Sequence, residues 1–335
     1  MEDQGFVPLG YIPYVSLTFM LTTTMAILFL SSWVVYTIKT TRSLHKPHNI
    51  FVANLLISSM IIATAKCFIS GTMIVSSAVG VESIINCHAY KLVQLPFLVD
   101  IISFVLIPVD KVIAIRSPFK HRRIMTPRNV GLIICSGWLI AIIPTAFRLV
   151  LDSDGVTNVP EYGTCVFVGK AFIEFLVAFI LPTFISPLIA TILNIYLTIK
   201  AYQIHKQITK ESTLHGVNSQ SERMTTLKKK QRNIKRHMKP IKMLLVIVLG
   251  STIINMAFPP LYYIGEALIG SQAYQEIMQY MVAPNSIYLV LFLHPLVYGL
   301  YFKQVREPMM KHLRGVLGIH KVNSVAPQPQ RTTRV

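Results

Sequence analysis

The sequence predicts an all-α integral membrane protein: a seven-transmembrane helix bundle with its N-terminus outside and a short C-terminal amphipathic helix. Three observations lead there, namely the scarcity of charge, the length of the apolar runs and the sidedness of the basic residues. Of the 335 residues, 53% are hydrophobic and 14% charged, whereas soluble domains average about a quarter charged. A bilayer core about 30 Å thick needs about 20 apolar residues of helix at 1.5 Å each. Seven stretches reach that length, 11–38, 49–79, 88–115, 129–150, 171–199, 241–268 and 276–301. With residues 1–10 outside, the segments 39–48, 110–128, 200–242 and 302–335 face the cytoplasm. They hold every one of the 32 Lys and Arg residues except Lys66, Lys91, Arg148 and Lys170. Glu2, Asp3, Glu82, Asp152, Asp154, Glu161, Glu266 and Glu276 fall on the opposite side. Basic residues kept inside orient multispan proteins in this way.

The same sidedness accounts for the formal charge of +18. The excess is topology plus attraction to anionic headgroups of the membrane lipid, and nucleic acid is not an expected partner. The opening text MEDQGFVPLG lacks a basic n-region and a small-residue cleavage site, so the first span is expected to serve as the insertion signal. No Asn-x-Ser/Thr sequon occurs, which predicts an unglycosylated outer segment.

Along the chain, short connectors make successive spans antiparallel neighbours. Span two carries Lys66 and Cys67, and span four carries Cys135 and Trp138. Both of these thiols read as small packing groups. Cys87 opens span three and Cys165 lies in the outer loop before span five; both face an oxidising compartment, which favours a disulfide over two unpaired thiols. Span three contains Pro96, Asp100 and Asp110. The third inner loop, 200–240, has a polar centre, KESTLHGVNSQSERM, and basic flanks that can extend spans five and six into the cytoplasm. Residues 302–317 read as an interfacial helix, apolar at Val305, Met309, Met310, Leu313 and Val316 and basic elsewhere. Residues 318–335 are disordered in composition.

Seven spans admit receptors, channels and transporters, so residues inside the helices decide. Span three ends Asp110-Lys111-Val112-Ile113-Ala114-Ile115-Arg116-Ser117-Pro118, span six carries Ala257-Phe258-Pro259-Pro260, and span seven ends His294-Pro295-Leu296-Val297-Tyr298. With Trp138 and the Cys87/Cys165 pair, this text resembles the rhodopsin-like (class A) G-protein-coupled receptors in its D-R-Y, C-W-x-P and N-P-x-x-Y motifs, its span-four tryptophan and its outer disulfide. The likeness covers nearly the whole chain. Leu44-His45-Lys46-Pro47-His48-Asn49-Ile50-Phe51 and Arg123-Ile124-Met125-Thr126-Pro127-Arg128 are similar to text of the odorant-receptor branch. Tyr298-Gly299-Leu300 with Lys303-Gln304-Val305-Arg306 is similar to fish odorant receptors.

The resemblance implies a multi-pass receptor of the plasma membrane, not an enzyme, which binds a small extracellular ligand and activates a heterotrimeric G protein. Ligand binding would bias span six about Pro259-Pro260 and open an inner cleft for a Gα helix. The coupling and switch residues it implies are Asp110, Lys111, Val112, Phe258, Pro260, His294, Pro295 and Tyr298.

The departures from the family text carry chemistry of their own. Lys111 replaces the family's arginine, exchanging a planar fork for a point charge. It either pairs with Asp110 in the resting state or snorkels to lipid phosphates. Where some relatives place an acid on span six stands Pro240, so that lock is missing. The family's aspartate in span two is Ser59 here, while span three supplies Asp100 where relatives often have serine. Asp100 lies ten residues before Asp110, about 15 Å outward along the helix and near mid-bilayer. A charge there costs roughly 2.5–3.5 kcal/mol on insertion scales and needs a partner. Ser59, Asn255, His294 and an allosteric sodium ion are the candidates. Together they would rebuild a sodium or proton site; the alternative is a neutral, structural Asp100.

Lys66, two turns outward of Ser59, is a counter-charge for an anionic ligand, a partner of Glu174, Glu266 or Asp100, or a lysine snorkelling outward. Opsins carry their retinal-binding lysine on span seven, where this chain has Tyr288. The amine-anchoring aspartate of monoamine receptors falls on Val93 or Gln94; the two ways of counting differ by one, which implies a local irregularity near Pro96. The expected ligand pocket is therefore apolar and aromatic: Lys66, Val93, Gln94, Phe97, Phe258, Tyr262, Tyr263 and Tyr288. The ending Thr332-Thr333-Arg334-Val335 fits a PDZ-domain ligand, with Thr333 and Val335 as its determinants. No carboxylate pair, nucleophile triad or metal-ligand spacing is visible, so no resident cofactor or metal is expected beyond that sodium ion. The alternative readings are a small-solute or ion transporter using Lys66 and Asp100, and a receptor-like protein that does not couple.

Overall fold

Within lipid every backbone N–H and C=O must find its partner inside the same segment, and the apolar runs accordingly become helices. The structure, a computed structural model, describes residues 12–79, 84–151, 156–159, 164–167, 181–214, 250, 253, 283–300 and 302–316. Its elements are α1 (Ile12–Thr40), a 3-10 turn (Arg42–Leu44), α2 (Pro47–Val79), α3 (Ile84–Arg116), α4 (Pro118–Ile124) and α5 (Pro127–Leu151). They continue with β1 (Val156–Val159), β2 (Thr164–Phe167), α6 (Leu181–Leu214), α7 (Ala283–Leu300) and α8 (Lys303–Val316). Helices α1, α2, α3, α5, α6 and α7 correspond to spans one to five and seven. Span six lies outside the described residues except for Gly250 and Ile253.

Four described stretches are long and apolar enough to cross a membrane: Tyr14–Thr40, Pro47–Ile69, Leu92–Arg116 and Ile185–Ile204. The pair Pro118–Ile124 and Pro127–Ile143, bent by 71°, reaches that length and hydropathy only when its two helices are taken together, and Ile287–Leu300 is a shorter apolar helix. Phe29, Phe68, Leu132, Ile143 and Ile192 are exposed. In water such a surface would drive association; facing acyl chains it is the solvated one.

Helix α3 is the axis of the packing, set against α2, α5 and α6, while α7 lies on α1 and α2. Two apolar clusters hold the bundle. The inner one joins Val34, Leu55, Ile107, Val130, Val297 and Met309. The outer one joins Met20, Ile27, Ile62, Val93, Tyr288 and Leu291. Gly299 sits where α7 crosses α1; a Cβ there would stand 3.1 Å from Val34 Cγ2, so the missing side chain permits the close approach.

A polar tie crosses three helices at the same time. Trp138 Nε1 of α5 donates to Asn54 Oδ1 of α2 at 3.1 Å, and Asn54 Nδ2 donates to Ser103 Oγ of α3 at 2.7 Å. Asn54→Ala is expected to leave the indole N–H without its acceptor, while Ser103 keeps its bond to the Val99 carbonyl at 2.7 Å, and to cost about 1–3 kcal/mol. A thermal-unfolding midpoint in detergent equal to the wild type would show that the tie carries no stability.

The structure refines the sequence reading in several places. A two-stranded antiparallel hairpin, with Asn158 opposite Cys165, occupies the outer loop of an otherwise helical protein. Val156, Thr157, Val159, Thr164 and Val166 are β-branched, which suits strands. Helix α6 runs to Leu214, fifteen residues past the apolar run of span five; the flank extends the span as expected, and the helix also takes in the start of the polar centre, because Lys, Gln and Glu continue a helix readily. The expected inner connector after span three contains α4, which has Ser117 at its N-cap and Pro118 in its first turn, where a missing N–H costs nothing. Helix α3 runs through Pro96 without a break. Cys135 is exposed on the lipid side rather than packed, while Cys67 is half-buried. On α8, Val305 and Met309 are buried as expected, but Met310 is exposed.

Candidate functional site

Helices α2, α3 and α7 bring four polar side chains together in the bundle interior. Asp100 of α3 is 8% exposed, and Ser58, Ser59 and His294 are at most 1% exposed. Ser59 Oγ donates to Asp100 Oδ1 at 2.8 Å and Ser58 Oγ to the same oxygen at 3.0 Å. Ser59 Oγ also lies 3.2 Å from His294 Nδ1. A hydroxyl has one proton; with that of Ser59 given to Asp100, the histidine contact is completed by a proton on Nδ1. His294 Nε2 is then a bare acceptor, and it has no hydrogen-bond partner among the described residues. Ser58 has a second acceptor in the Leu55 carbonyl at 2.8 Å, so it can release Asp100 without being stranded. Thus Ser59, Asp100 and His294, singled out in the sequence, meet; Ser58 was missed; Asn255 lies outside the described residues.

A cavity of about 50 Å³ adjoins this cluster, lined in part by Phe97, Asp100, Phe104, Ser186, Ile287 and His294. A buried water requires about 10–15 Å³ measured in this way, so a few waters or a partly hydrated cation fit. The acceptors at hand are a carboxylate, two hydroxyl oxygens and an imidazole nitrogen. Hard cations favour such oxygens.

At the inner end of α3 the arrangement differs from the expected one. Asp110 is buried and its Oδ1 lies 2.7 Å from His121 Nε2 of α4, whereas Lys111 Nζ stands 3.9 Å from Oδ2. The anticipated Asp110–Lys111 pair is therefore marginal, and the first partner is His121, which the sequence alone did not single out. Its signal was the position of α4, since a helix starting at Pro118 turns back over the end of α3. Val112 packs against Leu197 of α6. Pro295 is inside α7, and Tyr298 is buried and stacks on Phe302 with ring centroids 5.2 Å apart. Phe258, Pro259, Pro260 and Pro240 lie outside the described residues.

Toward the outer face, Val93, Gln94 and Tyr288 are buried and Phe97 half-buried. Tyr288 Oη donates to the Ala63 carbonyl at 3.4 Å, so the group at the opsin lysine position is a tied phenol. Lys66 is half-buried and forms no salt bridge among the described residues. Asp100, one partner considered for it, is engaged by the serines instead; Glu174 and Glu266 lie outside the described residues, as do Tyr262 and Tyr263. The backbones of Cys87 and Cys165 belong to α3 and β2, and both strands lie against α3, but the two side chains are outside the described set. Thr333 and Val335 are outside it too. No group of three or more His, Cys, Asp or Glu residues capable of holding a metal occurs among the described residues.

Residues 31–297 match the family model for the 7 transmembrane receptor (rhodopsin family). A curated relative, "Rhodopsin, GQ-coupled" of Mizuhopecten yessoensis, is 31% identical over 111 residues, which are 33% of this chain and 22% of that protein. Squid rhodopsin superposes with a TM-score of 0.69 at 19% identity, over 91% of this chain and 86% of the other.

Proposed function

Because the chain belongs to the rhodopsin family of seven-transmembrane receptors, matched over residues 31–297, we propose that it binds a small extracellular ligand and activates a heterotrimeric G protein. The observation that carries this reading is the placement of two polar centres on one helix. Asp100 adjoins the interior cavity and Asp110 is held at the inner end, about 15 Å apart along α3. A ligand that repositions α3, α2 or α7 at the cavity disturbs the same rigid rod that carries the inner bond, and bistable packing turns small shifts into a switch.

The ligand class we favour is a water-soluble odorant, on the odorant-like text at 44–51, 123–128 and 298–306. Lys66 would then offer a counter-charge to an anionic group. Tyr288 at the opsin lysine position argues against retinal as the ligand. The Asp100, Ser59 and His294 cluster would hold sodium or a proton, with Asn255 completing it. The Cys87–Cys165 disulfide, a plasma-membrane location and a PDZ partner at Thr333 and Val335 belong to the same reading.

The test is a screen of amino acids, bile salts and other soluble odorants on cells expressing the full chain with a promiscuous Gα. At least one compound should raise second-messenger output, with potency shifted by about tenfold between sodium-containing and sodium-free medium. Solute flux into vesicles with no G-protein response to any compound would decide for a transporter. Potency indifferent to sodium, to pH and to Asp100→Asn together would remove the ion site.

A further inference from the structure

A second cleft, of about 1020 Å³, opens on the cytoplasmic side between the connector after α1 and helix α8. Arg42 and Lys46 line it from the connector and Lys311 and His312 from α8, with Thr41 and Ser43 hydroxyls among them. Glu307, its single acid among the lining residues, is drawn to Lys303 at 3.3 Å. Arg42, Lys46 and Lys311 form no salt bridge among the described residues. Three cations from two separate elements thus line an open cleft whose one acid among the described residues, Glu307, is engaged by Lys303.

The location fixes what can reach it. Helix α8 buries Val305 and Met309 against the bundle and exposes Lys303, Arg306, Lys311 and Arg314, as a helix lying in the headgroup plane does. His312 meets the ring of Tyr36 on α1 with centroids 5.8 Å apart, which sets that wall of the cleft level with the inner end of the first span. Phosphate oxygens accept charge-assisted bonds from guanidinium and ammonium groups, and several phosphates on one ring can use cations from both walls at once. Singly charged headgroups would engage one wall at a time.

We propose that this cleft binds the headgroup of a multiply phosphorylated inositol lipid of the inner leaflet, bridging the first inner connector to α8. This goes beyond the general attraction of basic loops to anionic lipid, because it requires a particular headgroup and particular residues. It is independent of the extracellular ligand and of G-protein coupling.

The test uses the full chain in nanodiscs containing phosphatidylinositol 4,5-bisphosphate, or phosphatidylserine at matched surface charge, with retained lipid counted by native mass spectrometry. The triple variant Arg42→Gln/Lys46→Gln/Lys311→Gln should lower bisphosphate retention about tenfold or more. A control triple on α4, Lys120→Gln/Arg122→Gln/Arg123→Gln, should change it less than about twofold. Glu307→Gln, which removes the cleft's acid without removing a cation, should raise retention, and it keeps the proposal testable if the triple variant fails to fold. Equal losses in the two triple variants, or equal retention of phosphatidylserine, would overturn the site. Tight binding of soluble inositol trisphosphate in place of the membrane lipid would overturn the lipid as its occupant.

Discussion

Asp100→Ala should destabilise the detergent-solubilised protein by about 2 kcal/mol and abolish any sodium-specific stabilisation. The alanine removes the one carboxylate oxygen to which Ser58 and Ser59 both donate. A buried hydroxyl left without a partner costs about 1–3 kcal/mol. The loss stays near the middle of that range because each serine has somewhere else to turn. Ser58 has the Leu55 carbonyl, and Ser59 has His294 Nδ1 once that nitrogen is the acceptor. Asp100→Asn retains an acceptor oxygen of the same shape and should cost less than about 1 kcal/mol while still removing the charge that would hold a cation.

Separating these two effects requires unfolding midpoints measured in sodium and in a large organic cation at constant ionic strength. A ligand that binds only the folded form raises the midpoint in proportion to the logarithm of its occupancy. The wild type should show that rise, and both variants should lack it. An Asp100→Ala protein as stable as its parent would mean that the four-residue cluster contributes nothing to the fold.

The second large effect concerns the inner end of α3. His121→Ala should raise basal nucleotide exchange on a reconstituted G protein by roughly tenfold, and Lys111→Ala should remove agonist-driven exchange altogether. His121 holds Asp110 at 2.7 Å and so ties α4 to the end of α3. Hydrogen bonds involving a charged group are worth about 1.5–3 kcal/mol, and a bond made only in the resting arrangement biases the equilibrium by that amount, which sets the scale of the expected rise. Lys111, at 3.9 Å from Asp110 and 26% exposed, is barely restrained by it and is free to serve an incoming partner. Lys111→Arg should therefore keep activity. Unchanged basal exchange in His121→Ala would show that the bond is equally present in both states; undiminished agonist response in Lys111→Ala would remove the lysine from the coupling surface.

The helices were legible because lipid imposes one rule on every span, and residues such as Lys66 or Asp100 interrupt long apolar runs without ending them. The same rule exposed the interior site. An acid at mid-bilayer demands partners, and Ser59 and His294 were the polar groups at matching depth. Ser58 escaped notice because one residue turns a helix by about 100°, so adjacent serines do not ordinarily share a target. Here the carboxylate reaches between them. His121 was hidden by its setting in the run Lys120-His121-Arg122-Arg123, where a fourth basic group looks like one more inward charge. Only the short helix begun at Pro118 sends it back to Asp110. The hairpin of β1 and β2 was overlooked because four-residue strands in a connector carry too little periodicity to separate from irregular chain.

The overlong α6 has an electrostatic consequence. Its last fifteen residues, from 200 to Leu214, add about 22 Å of rigid rod beyond the expected membrane end. Headgroups occupy roughly the first 5–7 Å of that height, and the remainder is about two screening lengths at physiological ionic strength. The chain therefore leaves α6 at a height where the anionic leaflet exerts little pull. Lys200, Gln203, Lys206 and Gln207 are exposed along this rod, so its outer part offers a polar flank to a protein approaching from the cytosol rather than to lipid.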